Sequence, residues 1–148
     1  MSIFDAITIS ASALQAERQR AEIVAANMAN AETTRTAAGG PFHRRQVVFE
    51  SAGASPFQVA LARSADPASP PDGSVRVSAV VDDPTAPLMR YEPGHPDADK
   101  NGYVAYPAIN PAMEMVDMMS AVRAYQLNAT AISASKQMIQ QSIDILKS

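Results

Sequence analysis

The chain has 148 residues, enough for one ordinary domain or for a small lobe on a helical stalk. Its net charge of −3, without a cluster of Lys and Arg, argues against nucleic acid as a partner. Zero cysteines exclude disulfides and thiolate chemistry, and two histidines leave few metal ligands, so we expect neither a cofactor nor a small-molecule substrate and no enzymatic activity.

The N-terminal segment, residues 1–35, is predicted to be helical. Apolar residues recur at alternating spacings of three and four, which keeps one seam of a helix facing a partner helix. One basic residue, Arg18, interrupts the pattern. The predicted seam consists of Phe4, Ile7, Ala11, Leu14, Ala21, Ala25 and Met28.

The middle of the chain, residues 36–109, is predicted to be a small β-rich lobe. Alternating apolar residues indicate short strands at 46–50, 57–61, 74–81, 88–91 and 103–106. Prolines crowd a loop near 65–73. The lobe has few large apolar residues, so alone it would be marginally stable.

One loop of this lobe resembles the first half of a calcium-binding loop. Asp97, Asp99 and Asn101 place oxygen atoms at alternate positions before Gly102. The twelfth position of such a loop is a Glu, and here it is Ala108. We therefore expect no metal site and interpret the segment as a turn in which an Asx side chain bonds the backbone and Gly102 has a positive φ.

The C-terminal segment, residues 110–148, is predicted to be one long helix with Asn110 as its cap and Pro111 at its first position. At 1.5 Å per residue it would be roughly 50 Å long, too long for a globule of this size, so it needs a partner helix. Its predicted seam is Met115, Met118, Val122, Tyr125, Ala129, Ile132, Ile139, Ile143 and Leu146, interrupted by Lys136.

These patterns predict an α+β fold. The two terminal helices pair as an antiparallel coiled-coil stalk, and the β-rich lobe is inserted between them. Between Ala124 and Ser142 the only charge is Lys136, which favours a helix packed on several sides over a solvated one. Met119 and Met138 lie off the seam and are candidates for contacts between subunits. Arg18 and Lys136 either fix the helix register or extend their charges past the seam.

Three segments then resemble a known family. Asn27, Met28, Ala29, Asn30 and Thr33 are similar to an N-terminal motif of the bacterial flagellar axial proteins, which include rod, hook and hook-associated proteins. The segment from Tyr91 to Asn110, with Gly94 and Gly102, resembles a segment characteristic of a proximal rod member. The segment with Arg123, Tyr125 and Asn128 resembles the C-terminal helix motif of the same family.

The resemblance implies a structural subunit of the proximal rod that assembles through its terminal helices with itself and with other rod proteins. It implies a location in the basal body, in the periplasmic space. It also implies export by the flagellar type III apparatus, which fits an N-terminus without the basic region and apolar block of a cleaved signal peptide. No stretch is apolar enough for a membrane span of roughly 20 residues. Asn27 and Asn30 would bond a neighbour's backbone or cap the helix. The alternatives are a distal rod or hook-type subunit, a calcium-binding module, and a peptidoglycan-cleaving enzyme, for which the chain has no spare domain.

Overall fold

The computed structural model describes residues 3–51, 64 and 73–147, and the backbone alone at 146 and 147. Its helices are α1 (Ile3–Ala29) and α2 (Pro111–Lys147), and its strands are β1 (Arg45–Ser51), β2 (Val75–Asp82), β3 (Leu88–Tyr91) and β4 (Tyr103–Tyr106). The predicted α+β fold, with paired terminal helices and a β region between them, is confirmed. The strand predicted at 57–61, and the proline-rich loop apart from Gly73, lie outside the described residues.

Each long helix has a clear local signal at the end that borders the β region. At the start of α2, the Asn110 side-chain oxygen accepts a hydrogen bond from the Ala112 N–H at 3.0 Å, which satisfies one of the unpaired amides of the first turn. At the end of α1, the Asn30 side-chain amide donates to the Ala26 carbonyl at 2.9 Å. These caps fix where the chain leaves α1 and where it enters α2.

The two helices run antiparallel. Arg20 contacts Asp117 at 3.3 Å, and Asn27, two turns further along α1, contacts Glu114, which lies nearer the start of α2. The buried apolar residues of the helices are small: Ala16, Val24 and Ala121.

The strands form two separate two-stranded sheets, β1 with β2 and β3 with β4. In the second sheet the strands are antiparallel, and Leu88 pairs with Tyr106 at one end while Tyr91 pairs with Tyr103 at the other. Val104 of β4 is fully buried, and Ile109 just before α2 is nearly so. The β region thus has a few buried residues and a largely exposed surface.

The chain divides into two compact units. One contains α1 up to Gln19, the strand residues 49–51 and 75–78, and α2 from Ala121 onward. The other contains the rest of α1, the strand residues 45–48 and 79–82, the sheet of β3 and β4, and the start of α2. In the first unit, the Ser12 hydroxyl accepts a hydrogen bond from the Val75 N–H at 3.0 Å and donates to the Ile9 carbonyl at 2.7 Å, which joins α1 to β2.

Candidate assembly surface and buried polar cluster

Asn27 is fully buried near the end of α1 and bonds to the backbone of β1. Its side-chain amide donates to the Arg45 carbonyl at 2.9 Å, and its side-chain oxygen accepts from the Arg45 N–H at 2.9 Å. A side-chain amide that pairs with both backbone groups of one residue takes the place of a neighbouring strand. Asn27 therefore anchors the first residue of β1 to α1.

Glu114, in the first turn of α2, joins the same cluster. Its side chain is 1% exposed. One carboxylate oxygen accepts from the Asn27 amide at 3.0 Å, and the other accepts from Arg44 Nε at 2.6 Å. A buried carboxylate needs such paired donors, because removing an ionised group from water is costly without them.

Three further ion pairs extend the cluster toward solvent. Asp117, one turn along α2, accepts from Arg44 Nη2 and from Arg20 of α1, both at 3.3 Å. Arg44 also lies 4.0 Å from Asp83, next to β2. We define the buried polar cluster as Arg20, Asn27, Arg44, Glu114 and Asp117. It ties α1, the start of β1 and the start of α2 into one hydrogen-bonded unit.

Reasoning from the sequence misses most of this cluster. It singles out Asn27, but it assigns Glu114 and Asp117 no role in the site. Arg44 and Arg20 are not singled out.

The predicted seam residues divide into part-buried and exposed groups. On α1, Ile7, Leu14, Ala21 and Met28 are part-buried, whereas Phe4, Ala11 and Ala25 are exposed. On α2, Met118, Ala129, Ile132 and Ile139 are part-buried, whereas Met115, Val122, Tyr125 and Ile143 are exposed. The side chain of Leu146 lies outside the described residues. Burial of the exposed members by other subunits stays a prediction.

The most buried positions of α2 lie one residue before predicted seam positions. Glu114 precedes Met115, Ala121 precedes Val122, and Ser135 precedes Lys136. The fully buried residues of α2 are thus small or polar, whereas Met115 and Val122 beside them are exposed. The side chains of Arg18 and Lys136 are both exposed. Their role, either fixing the helix register or extending their charges past the seam, stays a prediction.

Large apolar side chains are exposed around more than one side of α2. At 100° per residue, Met115, Met119 and Val122 lie together on one side, and Val116, Leu127 and Met138 lie on another. Their exposures range from 43% at Val122 to 72% at Leu127. Met115, Met119 and Val122 lie within two turns, and a contiguous exposed apolar group of this kind indicates an interaction surface.

The hydroxyl and amide groups of α2 are largely satisfied by the helix itself. Each of the following side chains donates to the carbonyl four residues earlier, at 2.9 to 3.0 Å: Asn128, Thr130, Ser133, Ser135 and Ser142. Such groups lose little when a neighbour covers them, because their donors keep their partner. The small polar residues of α2 therefore fit a dry helix contact as well as alanine does.

The remaining motif residues have local roles or exposed positions. Asn30 accepts a hydrogen bond from the Thr33 hydroxyl at 3.2 Å while its amide caps α1. Arg123 is exposed on α2, and Gly94 lies in an exposed turn. Of the two interpretations considered for the asparagines, helix capping describes Asn30, whereas Asn27 bonds the backbone of its own chain.

The loop with the calcium-like spacing forms the expected turn. The Asp99 carboxylate accepts from the N–H groups of Asn101 and Tyr103, both at 2.8 Å. Gly102 has φ 82°, and a Cβ there would lie 2.9 Å from Tyr91 Cε2. Asp97 accepts from the Thr34 hydroxyl at 2.9 Å and from Arg35. The carboxylates are used inside the chain, and the described residues contain no cluster of His, Cys, Asp and Glu fit for a metal ion.

Three side chains in the second unit have pKa values shifted from the ordinary values of those groups. The hydrogen bond from the Thr85 hydroxyl lowers the pKa of Asp83, and that from the Thr34 hydroxyl lowers the pKa of Asp97. Tyr106 donates to Glu92 at 2.9 Å, and this bond raises the pKa of the phenol. Each shift follows from a contact that holds a loop or strand in place, and none marks a catalytic pair.

Comparison with known proteins assigns the class. Residues 7–35 match the family model of the flagella basal body rod protein, and residues 100–145 match that of the flagellar basal body rod FlgEFG protein C-terminal region. These two segments hold most of α1 and α2, including Asn27 and Glu114. The chain is therefore a member of the flagellar rod and hook class of proteins.

Full-length relatives narrow this to one family. The chain is 36% identical to the flagellar basal-body rod protein FlgC of Bacillus subtilis over 99% of the chain and 100% of the relative. It is 38% identical to that of Aquifex aeolicus and 35% identical to that of Borreliella burgdorferi, each over 99% of both chains. The chain belongs to the FlgC family of flagellar basal-body rod proteins.

Proposed function

We propose that this chain is a structural subunit of the proximal rod of the flagellar basal body. It assembles with copies of itself and with other rod proteins into the shaft that transmits torque. The observation that carries the proposal is the relation to FlgC proteins over essentially the whole length of both chains. Full-length similarity to FlgC proteins favours this function over a distal rod or hook-type subunit.

The outward surface of α2 supports this function in physical terms. A rod that transmits torque needs stiff, closely packed elements, each in contact with several neighbours. Exposed apolar side chains on more than one side of α2, and hydroxyls already bonded to their own helix, suit such contacts. In this proposal the terminal segments 1–35 and 110–148 form the assembly domain, and residues 36–109 form a separate lobe.

The same proposal covers location, export and chemistry. The subunit lies in the periplasmic part of the basal body and reaches it through the flagellar type III export apparatus. It acts as a structural protein rather than as an enzyme. No helix within the described part of the chain combines the length and apolarity needed to cross a membrane.

Motility in the source bacterium tests the proposal. The gene is deleted and complemented with the wild-type chain or with Leu127→Glu, whose side chain is 72% exposed. We expect the deletion and the variant to lack rods and swimming, because the variant folds but places a charge on the contact surface. Ser78→Glu, which adds the same charge at an exposed strand position, is the control and is expected to swim. Normal swimming of the deletion strain would overturn the proposed function.

A further inference from the structure

The apolar contact between α1 and α2 is too uniform to select one register by itself. The buried apolar residues of the two helices are Ala16, Val24 and Ala121. A shift of α2 by seven residues, about 10 Å along the axis, would replace Ala121 by Asn128, another small residue that is part-buried. Helices that meet through small residues at regular spacing have several registers of similar packing, so register must be specified by something else.

The polar groups of the contact fit only one register. Arg44 Nε meets Glu114 at 2.6 Å, the Asn27 amide meets the same carboxylate at 3.0 Å, and Asp117 lies between Arg44 and Arg20. A shift of seven residues would put Ala121 where Glu114 now lies. The arginine and the asparagine amide would then lose their charged partner.

We propose that the Arg44–Glu114 ion pair, positioned by Asn27, fixes the register of α2 against α1. These three are positioning residues, and their effect is on how far α2 is shifted along α1 rather than on whether the chain folds. Buried ion pairs commonly add little net stability, because the desolvation of both charges offsets their attraction, but breaking one by misalignment is costly. The inference concerns the isolated chain and stands independently of the proposed function.

Disulfide trapping in the purified full-length chain tests the register, since the sequence contains no cysteine. Arg20 contacts Asp117 and the helices run antiparallel, so helix geometry predicts that Ala16, one turn earlier on α1, faces Ala121, one turn later on α2. The native probe is therefore Ala16→Cys with Ala121→Cys, and the shifted probe is Ala16→Cys with Asn128→Cys. A bridge needs Cβ atoms about 4 Å apart, so the two probes do not report the same register.

Each probe is equilibrated in a glutathione buffer, in the wild-type background and in the double variant Arg44→Met/Glu114→Met. In the wild-type background we expect the equilibrium constant for disulfide formation to be at least about a hundredfold larger for the native probe than for the shifted probe. This ratio follows from the free-energy cost of breaking a buried ion pair. In the double variant we expect the ratio to fall at least about tenfold while the midpoint of urea unfolding stays the same or rises. Asn27 is kept, so the Arg45 backbone groups remain bonded.

The control removes an ion pair outside the helix contact. Arg76 and Glu50 pair at 2.9 Å on the strands, with both side chains largely exposed. Arg76→Met/Glu50→Met should leave the probe ratio unchanged. Two results would overturn the inference: an unchanged ratio in Arg44→Met/Glu114→Met, or loss of its helical circular dichroism, which would assign the pair to folding itself.

Discussion

Replacement of Asn27 by alanine should destabilise the chain far more than its size suggests. The substitution removes both partners of the Arg45 backbone groups and one donor to the buried Glu114 carboxylate. Each buried group left unpaired costs about 1–3 kcal/mol, and because the Arg45 bonds are only part-buried, water replaces some of the loss. We therefore expect Asn27→Ala to lower the free energy of unfolding by about 2–3 kcal/mol, equivalent to a melting temperature lower by about 5–10 °C.

Urea unfolding followed by helical circular dichroism measures this difference, and Asn128→Ala is the matched control. The Asn128 amide donates only to the Ala124 carbonyl of its own helix, at 2.9 Å. That carbonyl keeps its helical partner, so we expect the control to cost no more than about 0.5 kcal/mol. Equal losses in the two variants would refute the assignment of Asn27 as the anchor of β1.

Three further outcomes follow from the turns of the second unit. Gly102→Ala should lower the free energy of unfolding by about 2 kcal/mol, because alanine disfavours a positive φ and its Cβ would crowd Tyr91. Gly94 has open space around it, so Gly94→Ala should change the free energy of unfolding little. Equal losses in the two variants would contradict this. The lowered pKa of Asp97 means that its ionised form stabilises the fold above about pH 3.8, and this contribution is lost as pH falls through the folded-state pKa. Asp97→Asn should therefore flatten the acid limb of the curve of stability against pH. Parallel acid limbs in the two proteins would count against this. The raised pKa of Tyr106 means that the stabilisation from its bond to Glu92 is lost as pH rises beyond 10.0, through the raised folded-state pKa. Tyr106→Phe should therefore flatten the alkaline limb of the stability curve, and parallel limbs would reject the shift.

Periodicity was sufficient to place the helices and four of the strands. The start of α2 follows Asn110, the cap predicted from the sequence, whereas α1 ends at Ala29, before the predicted end at residue 35, and Asn30 caps it there. The turn before β4 was predictable for the same reason, because the Asp99 side chain and Gly102 act on their immediate neighbours. These elements could be predicted because each depends on interactions between residues close together in the sequence.

The helix contact was harder to predict because the largest apolar residues of α2 do not occupy its most buried positions. A heptad drawn through the largest apolar residues passes through Met115 and Val122, whereas the chain buries the adjacent Glu114 and Ala121. Close approach of two backbones favours small residues. The partner of Glu114 is Arg44, 70 positions away, and no local pattern indicates which of several arginines will reach it.

The distribution of apolar residues on α2 has an energetic consequence for assembly. The exposed large side chains described on this helix are Met113, Met115, Val116, Met119, Val122, Tyr125, Leu127, Met138, Ile143 and Ile145. Full burial of such a side chain contributes about 1.5–3 kcal/mol, so completing the burial of all of them would contribute on the order of 10 kcal/mol before the entropy cost of association. That is comparable with the whole folding free energy of a typical domain, about 5–15 kcal/mol. Because the fully buried residues of its helices are small or polar, the chain leaves these large apolar side chains exposed. Their burial on assembly would contribute a free energy similar in size to that of folding. This links the fold to a structural role in the rod.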